Sequence, residues 1–479
     1  MKEAYLVVDI GTGNTRVSAV TPEGDVLAIS TQNSEYYRDT DFKNSVCFRP
    51  ERWKEVIFGL IRKVLAELSD IRIIGISSSS QRQGIVLIDY NGKEIVGYQN
   101  SDQRGAQFLK EINWEPIKKV TGLDPKAMFS CVKIYGTKKV QPEVLERTKV
   151  YTSISDWVGY ALTGNAVWEH SQAMHTAVYD PVNKCWSQEC CDVLGIDINQ
   201  LAPLAEAGSV IGNVKKEIAE ELGIGEDVPF IVGAADTQIA LEGVDAKLND
   251  IVVVSGTTTP VVEVVDEFKY YPCWISTCAD SSKYMLEVNA SNTGINLQTF
   301  KEEFFPNDDY QDLERKGVER GLPKLWSCFS GCPHLAVKMN LTGGFVMSST
   351  FSGEIRKEDF YYAMVLDIAF TIVTCERRLE ELHPENNGYI IGCGGGFRGN
   401  VTGQVVANLT GKEVRLLKGY DQATSMGCVN LCNKALNKPV IDVTPVRVFT
   451  PEKDEALERY FTKWQKVREG MQFMQSVQF

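Results

Sequence analysis

Asp9-Ile10-Gly11-Thr12-Gly13-Asn14-Thr15-Arg16 puts a carboxylate at the end of an apolar run, followed by two glycines and two hydroxyl residues. Glycines let backbone N–H groups approach phosphate oxygens, and hydroxyls donate further hydrogen bonds. A neighbouring aspartate can hold Mg²⁺ through water. The same string also makes an ordinary hairpin turn. It lacks the Gly-Lys-Ser/Thr of a Walker A loop and the following helix of a dinucleotide fingerprint. Ser255-Gly256-Thr257-Thr258-Thr259 offers the same chemistry and the same alternative. Two such turns could grip a polyphosphate from two sides.

Three further strings could carry function. Gly392-Cys393-Gly394-Gly395-Gly396 allows close approach of a flat or bulky ligand, or makes a flexible loop. Gly233-Ala234-Ala235-Asp236-Thr237-Gln238 sets Asp236 where a strand hands over to a helix. In open α/β sheets ligands bind in that crevice, although aspartate there also serves as a helix cap. Gln81-Arg82-Gln83-Gly84 and Asn100-Ser101-Asp102-Gln103-Arg104 are dense in donors and acceptors. Recognition of a polyol needs such clusters, because each hydroxyl both donates and accepts; a solvated loop has the same composition.

The elements that must position these residues alternate between strand and helix. Strands are expected at Ala4–Val8, Arg16–Val20, Val26–Ser30, Ile71–Ser77 and Pro229–Val232. Ile85–Asp89 and Glu94–Gly97 flank Asn91-Gly92, a hairpin signal. Apolar residues from Trp53 to Leu68 recur at helical spacing, so Glu51–Leu68 is read as an amphipathic helix. Further helices are expected from Ser155-Asp156 to before Gly164 and from Asp236 to Leu241. Near Gly243–Asp250 the pattern restarts: strand Ile251–Val254, the second Gly/Thr turn, strand Val261–Val265. This echo of the N-terminus suggests two related halves. Tyr389–Ile391 leads into the triple glycine, Gln404–Leu409 and Gln422–Gly427 are read as helices, and Leu457, Tyr460, Phe461, Trp464, Val467 and Met471 form the apolar stripe of a closing helix.

Composition bounds these readings. A chain of 479 residues fits two large domains or three of ordinary size, at ~150 residues each. With 43% hydrophobic and 24% charged residues it is not a disordered chain. A net charge of -13 disfavours global attraction to nucleic acid or anionic membranes. No apolar run approaches the ~18 residues of a membrane span, and Asp9 and Arg16 interrupt what would be a signal-peptide core. The 13 cysteines include the groupings Cys190-Cys191, Cys328/Cys332 and Cys428/Cys432, none with paired C-x-x-C spacing. The histidines are His170, His175, His334 and His383, none paired at metal-binding helical spacing. Buried free thiols in a reducing cytoplasm fit better than zinc or disulfides.

Together, and in this order, the five strings resemble the FGGY family of carbohydrate kinases over essentially the whole chain. The resemblance implies an α/β fold of two ribonuclease-H-like domains, as in actin-like ATPases, with a central cleft. The domains would span residues 1–243 and 244–479. It implies ATP and Mg²⁺ as cofactors, with Asp9 for the metal and Asp236 as catalytic base. Gly11, Thr12, Asn14 and Arg16, then Gly256, Thr257 and Thr258, would hold phosphates, and Gly394, Gly395 and Gly396 would flank the adenosine. Arg82, Gln83, Asn100, Asp102, Arg104 and Gln238 would bind the sugar. Where xylulokinase-like members carry Met-His-Gly, this chain has Arg82-Gln83-Gly84. Autoinducer-2 kinases look closer, with Asn-x-Asp-x-Arg matched by Asn100, Asp102 and Arg104, and Ile-Ser-Asp-Trp by Ile154 to Trp157. The expected activity is phosphorylation of a hydroxyl on a small linear carbohydrate, linear autoinducer-2 first and a pentulose second. A nucleotide switch of actin or chaperone type is the rival from another class. The expected partner is a small sugar-like molecule, with no nucleic acid and no membrane, in the cytoplasm, and a homodimer is the candidate assembly.

Overall fold

The computed structural model of the chain describes residues 2–331, 343–350 and 353–472. Cys332 and His334 lie outside the described residues. Among those described, the cysteines form no disulfide and no helix is long and apolar enough to cross a membrane.

Ala4–Val8 is buried on both faces, which makes the opening strand Lys2–Ile10 a central one. Asn14–Val20 pairs antiparallel beside it and Val26–Asn33 follows as the edge. On the other side Ile71–Ser80 pairs parallel, then Pro229–Ile231 parallel and Val210–Asn213 antiparallel. A second sheet repeats this order. Ile251–Val254 lies beside Pro260–Val265 and Tyr284–Asn289 on one flank, antiparallel, and beside Tyr389–Cys393 and Glu413–Leu417 on the other, parallel. Two halves with one strand order make the expected pair of related domains. The duplication carries the two Gly/Thr turns to equivalent places, each at the hairpin between the first two strands of its sheet.

A four-stranded sheet is inserted in the first half: Cys47–Phe48, Glu94–Tyr98, Ile85–Asp89 and Thr148–Ser153. It carries the hydrogen-bonding strings, because Gln81–Gly84 leads into Ile85–Asp89 and Asn100–Arg104 leaves Glu94–Tyr98. Helix Pro50–Ala66 covers the first sheet with Trp53, Ile57, Leu60, Ile61 and Val64 turned inward. The closing helix Glu455–Gln472 buries Leu457, Tyr460, Phe461 and Trp464. Three of those rings pack on Phe370 of a 26-residue helix, Lys357–Leu382. That long helix has no counterpart in the sequence reading. Every residue from Tyr361 to Val373 is buried, so it lacks the one-sided periodicity that betrays a surface helix.

The halves meet where helix Asp236–Gly243 crosses helix Ala423–Ala435. Contact is backbone to backbone. A Cβ on Gly427 would lie 1.9 Å from the carbonyl oxygen of Ile239, and one on Gly243 1.9 Å from that of Ala423. Only glycine permits this approach.

Candidate active site

Asp9 is the next-to-last residue of the opening strand and sits directly opposite Arg16 across the hairpin. The turn beyond closes with the Gly11 N–H donating to the Asn14 carbonyl at 3.0 Å. Thr12, Gly13 and Asn14 are exposed. The turn is held from behind. Tyr36 Oη donates to the Thr12 carbonyl at 2.7 Å, Asn100 Nδ2 donates to Thr12 Oγ1 at 3.1 Å, and Thr12 Oγ1 donates to Gln81 Oε1 at 3.3 Å. Asn100 thus braces the first turn. Arg16 donates from Nη1 to Gln422 Oε1 at 3.1 Å, a link between the halves.

The second turn closes more tightly, with the Gly256 N–H donating to the Thr258 carbonyl at 2.9 Å. Gly256 and Thr257 are exposed and Thr258 is half-buried. The triple glycine packs against this turn. Gly394 has φ +89°, and a Cβ there would lie 2.3 Å from the Ser255 carbonyl oxygen; one on Gly396 would lie 2.1 Å from Ser255 Oγ. These two glycines let the loop touch Ser255, while Gly395 meets nothing within 4 Å and is exposed.

Asp236 is the first residue of its helix rather than the cap, which is Ala235. Its hydrogen bonds fall on Oδ1, from the N–H of Thr237 at 2.7 Å and its hydroxyl at 3.4 Å. Burial raises its carboxyl above the usual range, against the pull of Arg82. Burial likewise raises Asp9, to about 6, with Arg16 opposing and the charge of Asp236 adding to the rise. The segment Glu169–Ala173 buttresses the turn before Asp236. Glu169 accepts from the N–H groups of Ser171 and Gln172 at 2.9 and 3.0 Å, and Ser171 Oγ accepts from the Ala235 N–H at 3.1 Å.

The residues expected to meet a sugar divide into two groups. Arg82 is held by a fork of hydrogen bonds to Glu287, Nη1 to Oε2 at 2.5 Å and Nη2 to Oε1 at 3.1 Å. Burial opposes both charges, but their attraction prevails, raising Arg82 and lowering Glu287. Gln83 reaches His175 Nδ1 at 3.4 Å, His175 Nε2 lies 3.3 Å from Ser276 Oγ, and Gln238 Nε2 donates to Ser276 Oγ at 2.7 Å. Gln238 Oε1 is buried without a partner. Burial, aided by Arg82, lowers His175 far enough to keep it neutral near pH 7. Gln83 and Gln238 thus meet in one buried network through His175 and Ser276, and the Arg82 charge reaches Asp236.

Asp102 and Arg104 do not reach the cleft directly. Both side chains are fully buried and bound to each other, Nε to Oδ1 at 3.0 Å and Nη2 to Oδ2 at 3.0 Å. Asp102 also accepts from the N–H groups of Val46 and Arg104. Arg104 stacks 3.5 Å over Tyr98 and 4.5 Å over Phe42. The pair clasps the loop that presents Asn100 and Ser101.

Sequence reasoning missed Glu287, Ser276 and Trp274, and gave His175 no place in the site. Trp274 stacks on His175 with ring centroids 5.4 Å apart. A signal existed for Glu287: it is the lone carboxylate in the apolar strand Tyr-Met-Leu-Glu-Val-Asn from Tyr284 to Asn289, and such a residue needs a partner when buried.

Comparison with known proteins places the chain by family and by fold. Residues 4–243 match the model of the FGGY family of carbohydrate kinases, N-terminal domain. The chain is 37% identical to a putative sugar kinase, YoaC, of Bacillus subtilis (strain 168), over 98% of this chain and 97% of that one. It is 25% identical to a xylulose kinase of Staphylococcus epidermidis, covering 90% and 88%. It is 23% identical to an autoinducer-2 kinase of Salmonella typhimurium, covering 88% and 84%. In fold it is similar to a ligand-bound xylulose kinase from Lactobacillus acidophilus, with a TM-score of 0.83 at 20% identity and 98% of each chain covered.

Proposed function

Because the chain belongs to the FGGY family of carbohydrate kinases, we propose that it transfers the γ-phosphoryl group of ATP to a hydroxyl of a short, neutral, linear carbohydrate, with linear autoinducer-2 as the leading substrate. The observation that carries the neutral, uncharged character is the Arg82–Glu287 fork. A free guanidinium would recruit a sugar acid; here its charge is spent within the protein, leaving the amides of Gln83 and Gln238 to read hydroxyl and carbonyl groups. Residues 1–243 would supply the sugar subsite, the first phosphate turn and the base; residues 244–479 would supply the second turn and the adenosine side.

Asp236 accepts the proton of the attacking hydroxyl. Its raised carboxyl suits this, since a base works best near the operating pH. The exposed turns at Gly11–Asn14 and Gly256–Thr258 present N–H and hydroxyl groups to phosphate oxygens, and positioning of that kind supplies most of the catalysis in phosphoryl transfer. Asp9 suits a magnesium site: it is half-exposed at the turn, and its carboxyl is raised by burial and a like charge that a cation would relieve. When bound, the ion would neutralise charge developing on the phosphate oxygens. Gly394, Gly395 and Gly396 form the floor for the adenosine, with Gly395 open above. Asp102 and Arg104 act on the sugar through the loop they clasp.

A pentulose is the second reading, favoured by the likeness to xylulose kinases. Sugar-stimulated ADP release, measured across ketoses, polyols and the autoinducer-2 precursor, tests both. We expect a higher kcat/KM for the autoinducer-2 precursor than for D-xylulose or D-ribulose. A clear preference for either pentulose replaces the first reading with the second. ATP turnover indifferent to every sugar would instead favour a nucleotide switch.

A further inference from the structure

Lys133 lies in helix Ser130–Val140 and is fully buried. Its Nζ donates to three backbone carbonyls: Gln83 at 2.7 Å, Gln99 at 2.7 Å and Asn100 at 3.2 Å. Gln83 and Asn100 belong to the two hydrogen-bonding strings, and Gln99 directly precedes the second. Gln83 turns through a left-handed conformation, φ 63°, uncommon for a residue with a side chain. Strain of this kind persists only where the surroundings over-determine it, and it gathers at functional sites. Ser130 Oγ donates to the same Gln83 carbonyl at 3.0 Å. The side chains beyond these carbonyls do different work: Gln83 faces His175, and Asn100 braces Thr12.

An ammonium has three donors and no acceptor, so three converging carbonyls use it completely. The obvious counter-charge is engaged elsewhere, since both oxygens of Asp102 are taken by Arg104 and backbone N–H groups. We propose that Lys133 is a positioning residue for the sugar subsite: its ammonium gathers the carbonyls of Gln83, Gln99 and Asn100, fixes the turn at Gln83, and so sets sugar affinity without touching the sugar. This rests on reading the cleft beside Asp236 as the sugar subsite.

The arrangement is sensitive to pH. The groups facing Lys133 are Asp102, which favours its charge, Arg104, which opposes it, and the thiol of Cys47; burial outweighs them and brings the lysine down to about 7. Burial also pushes the Cys47 thiol up to about 11, so it is neutral there. The folded value lies below the ordinary one of a lysine. The full clamp is therefore present below about pH 7 and is lost as pH rises through it. A neutral amine keeps two donors and turns a lone pair on the third carbonyl. Losing the proton also removes a buried charge, so this group's contribution to stability rises with pH while sugar binding weakens. A purely structural lysine would not separate the two.

The test is steady-state kinetics of the full chain with D-xylulose and the linear autoinducer-2 precursor, following whichever gives the higher wild-type turnover. Lys133→Met keeps the length and removes the donors. Its sugar KM should rise at least about tenfold, the scale of hydrogen bonds to a charged group, with the ATP KM within about twofold. The wild-type sugar KM should climb several-fold between roughly pH 6.5 and 8.5, and that climb should be absent from Lys133→Met. Ser130→Ala, which removes one donor to Gln83, should raise the sugar KM less and keep the climb. If Lys133→Met does not fold, the wild-type profile and Ser130→Ala decide. A flat wild-type sugar KM, or sugar and ATP KM moving together, overturns the proposal while the sugar reading stands. No sugar-stimulated ADP release from the wild type overturns that reading and this proposal with it.

Discussion

Asp236→Asn should lower turnover by at least ~10²-fold, the usual scale for loss of a general base, while ATP affinity stays nearly unchanged. The substitution keeps shape and the hydrogen bond from the Thr237 N–H, because the amide oxygen can still accept it. What disappears is the capacity to take a proton. Among the described residues its ionisable neighbours are otherwise engaged. Glu287 is committed to Arg82, His175 is held neutral but is enclosed by Gln83, Ser276 and Trp274, and Asp9 stands opposite Arg16 at the first Gly/Thr hairpin. The turns expected to grip phosphate, at Gly11–Asn14 and Gly256–Thr258, are other segments and should be undisturbed. Turnover at saturating sugar, beside calorimetric titration with ATP, checks both halves of the expectation. Near wild-type turnover would remove Asp236 from the role of base.

Gly427→Ala should cost about 10²-fold in turnover as well, through displacement rather than chemistry. In an unpacked helix this change stabilises by about 1 kcal/mol. At the crossing the new Cβ would lie 1.9 Å from the Ile239 carbonyl oxygen, so the helices must part by roughly an ångström, and misplacement on that scale can cost about 10²-fold. Ile239 lies one turn beyond Asp236 in the same helix. Retreat of that turn carries Asp236, the proposed base, away from the Gly/Thr turns of both halves. The melting temperature should fall too. Gly470→Ala, in the closing helix with nothing within 4 Å of its Cβ position, is the matched control and should leave turnover unchanged and the melting temperature unchanged or slightly raised. A Gly427→Ala protein that melts lower but turns over normally would show that the crossing can open without moving Asp236.

The sequence by itself determined the parts whose causes are local. Glycine and threonine after an apolar run favour a turn wherever the chain puts them, so both hairpins are legible. The helix read at Glu51–Leu68 is observed at Pro50–Ala66, because its apolar spacing reports one buried face. The strand read at Ile251–Val254 is observed at those residues. The recurrence of strand, turn and strand reported the duplication before the sheets were seen. Asp236 at a strand-to-helix junction followed from the same local grammar.

Tertiary structure alone decided which polar residues face the cleft. Asp102 and Arg104 read as ligands of a sugar, yet they are buried and bound to each other. Arg82 read as an open donor, yet Glu287, 205 residues away along the chain, takes its fork. Lys133 sits in a helix with no usable periodicity and gained its meaning only when three carbonyls from two loops met its ammonium. The physical reason is common to all three. A glycine turn or an amphipathic helix is fixed by the conformational preferences of neighbouring residues. The partner of a buried charge is fixed by which distant segments the sheets bring within hydrogen-bond reach, and composition and spacing carry no record of that.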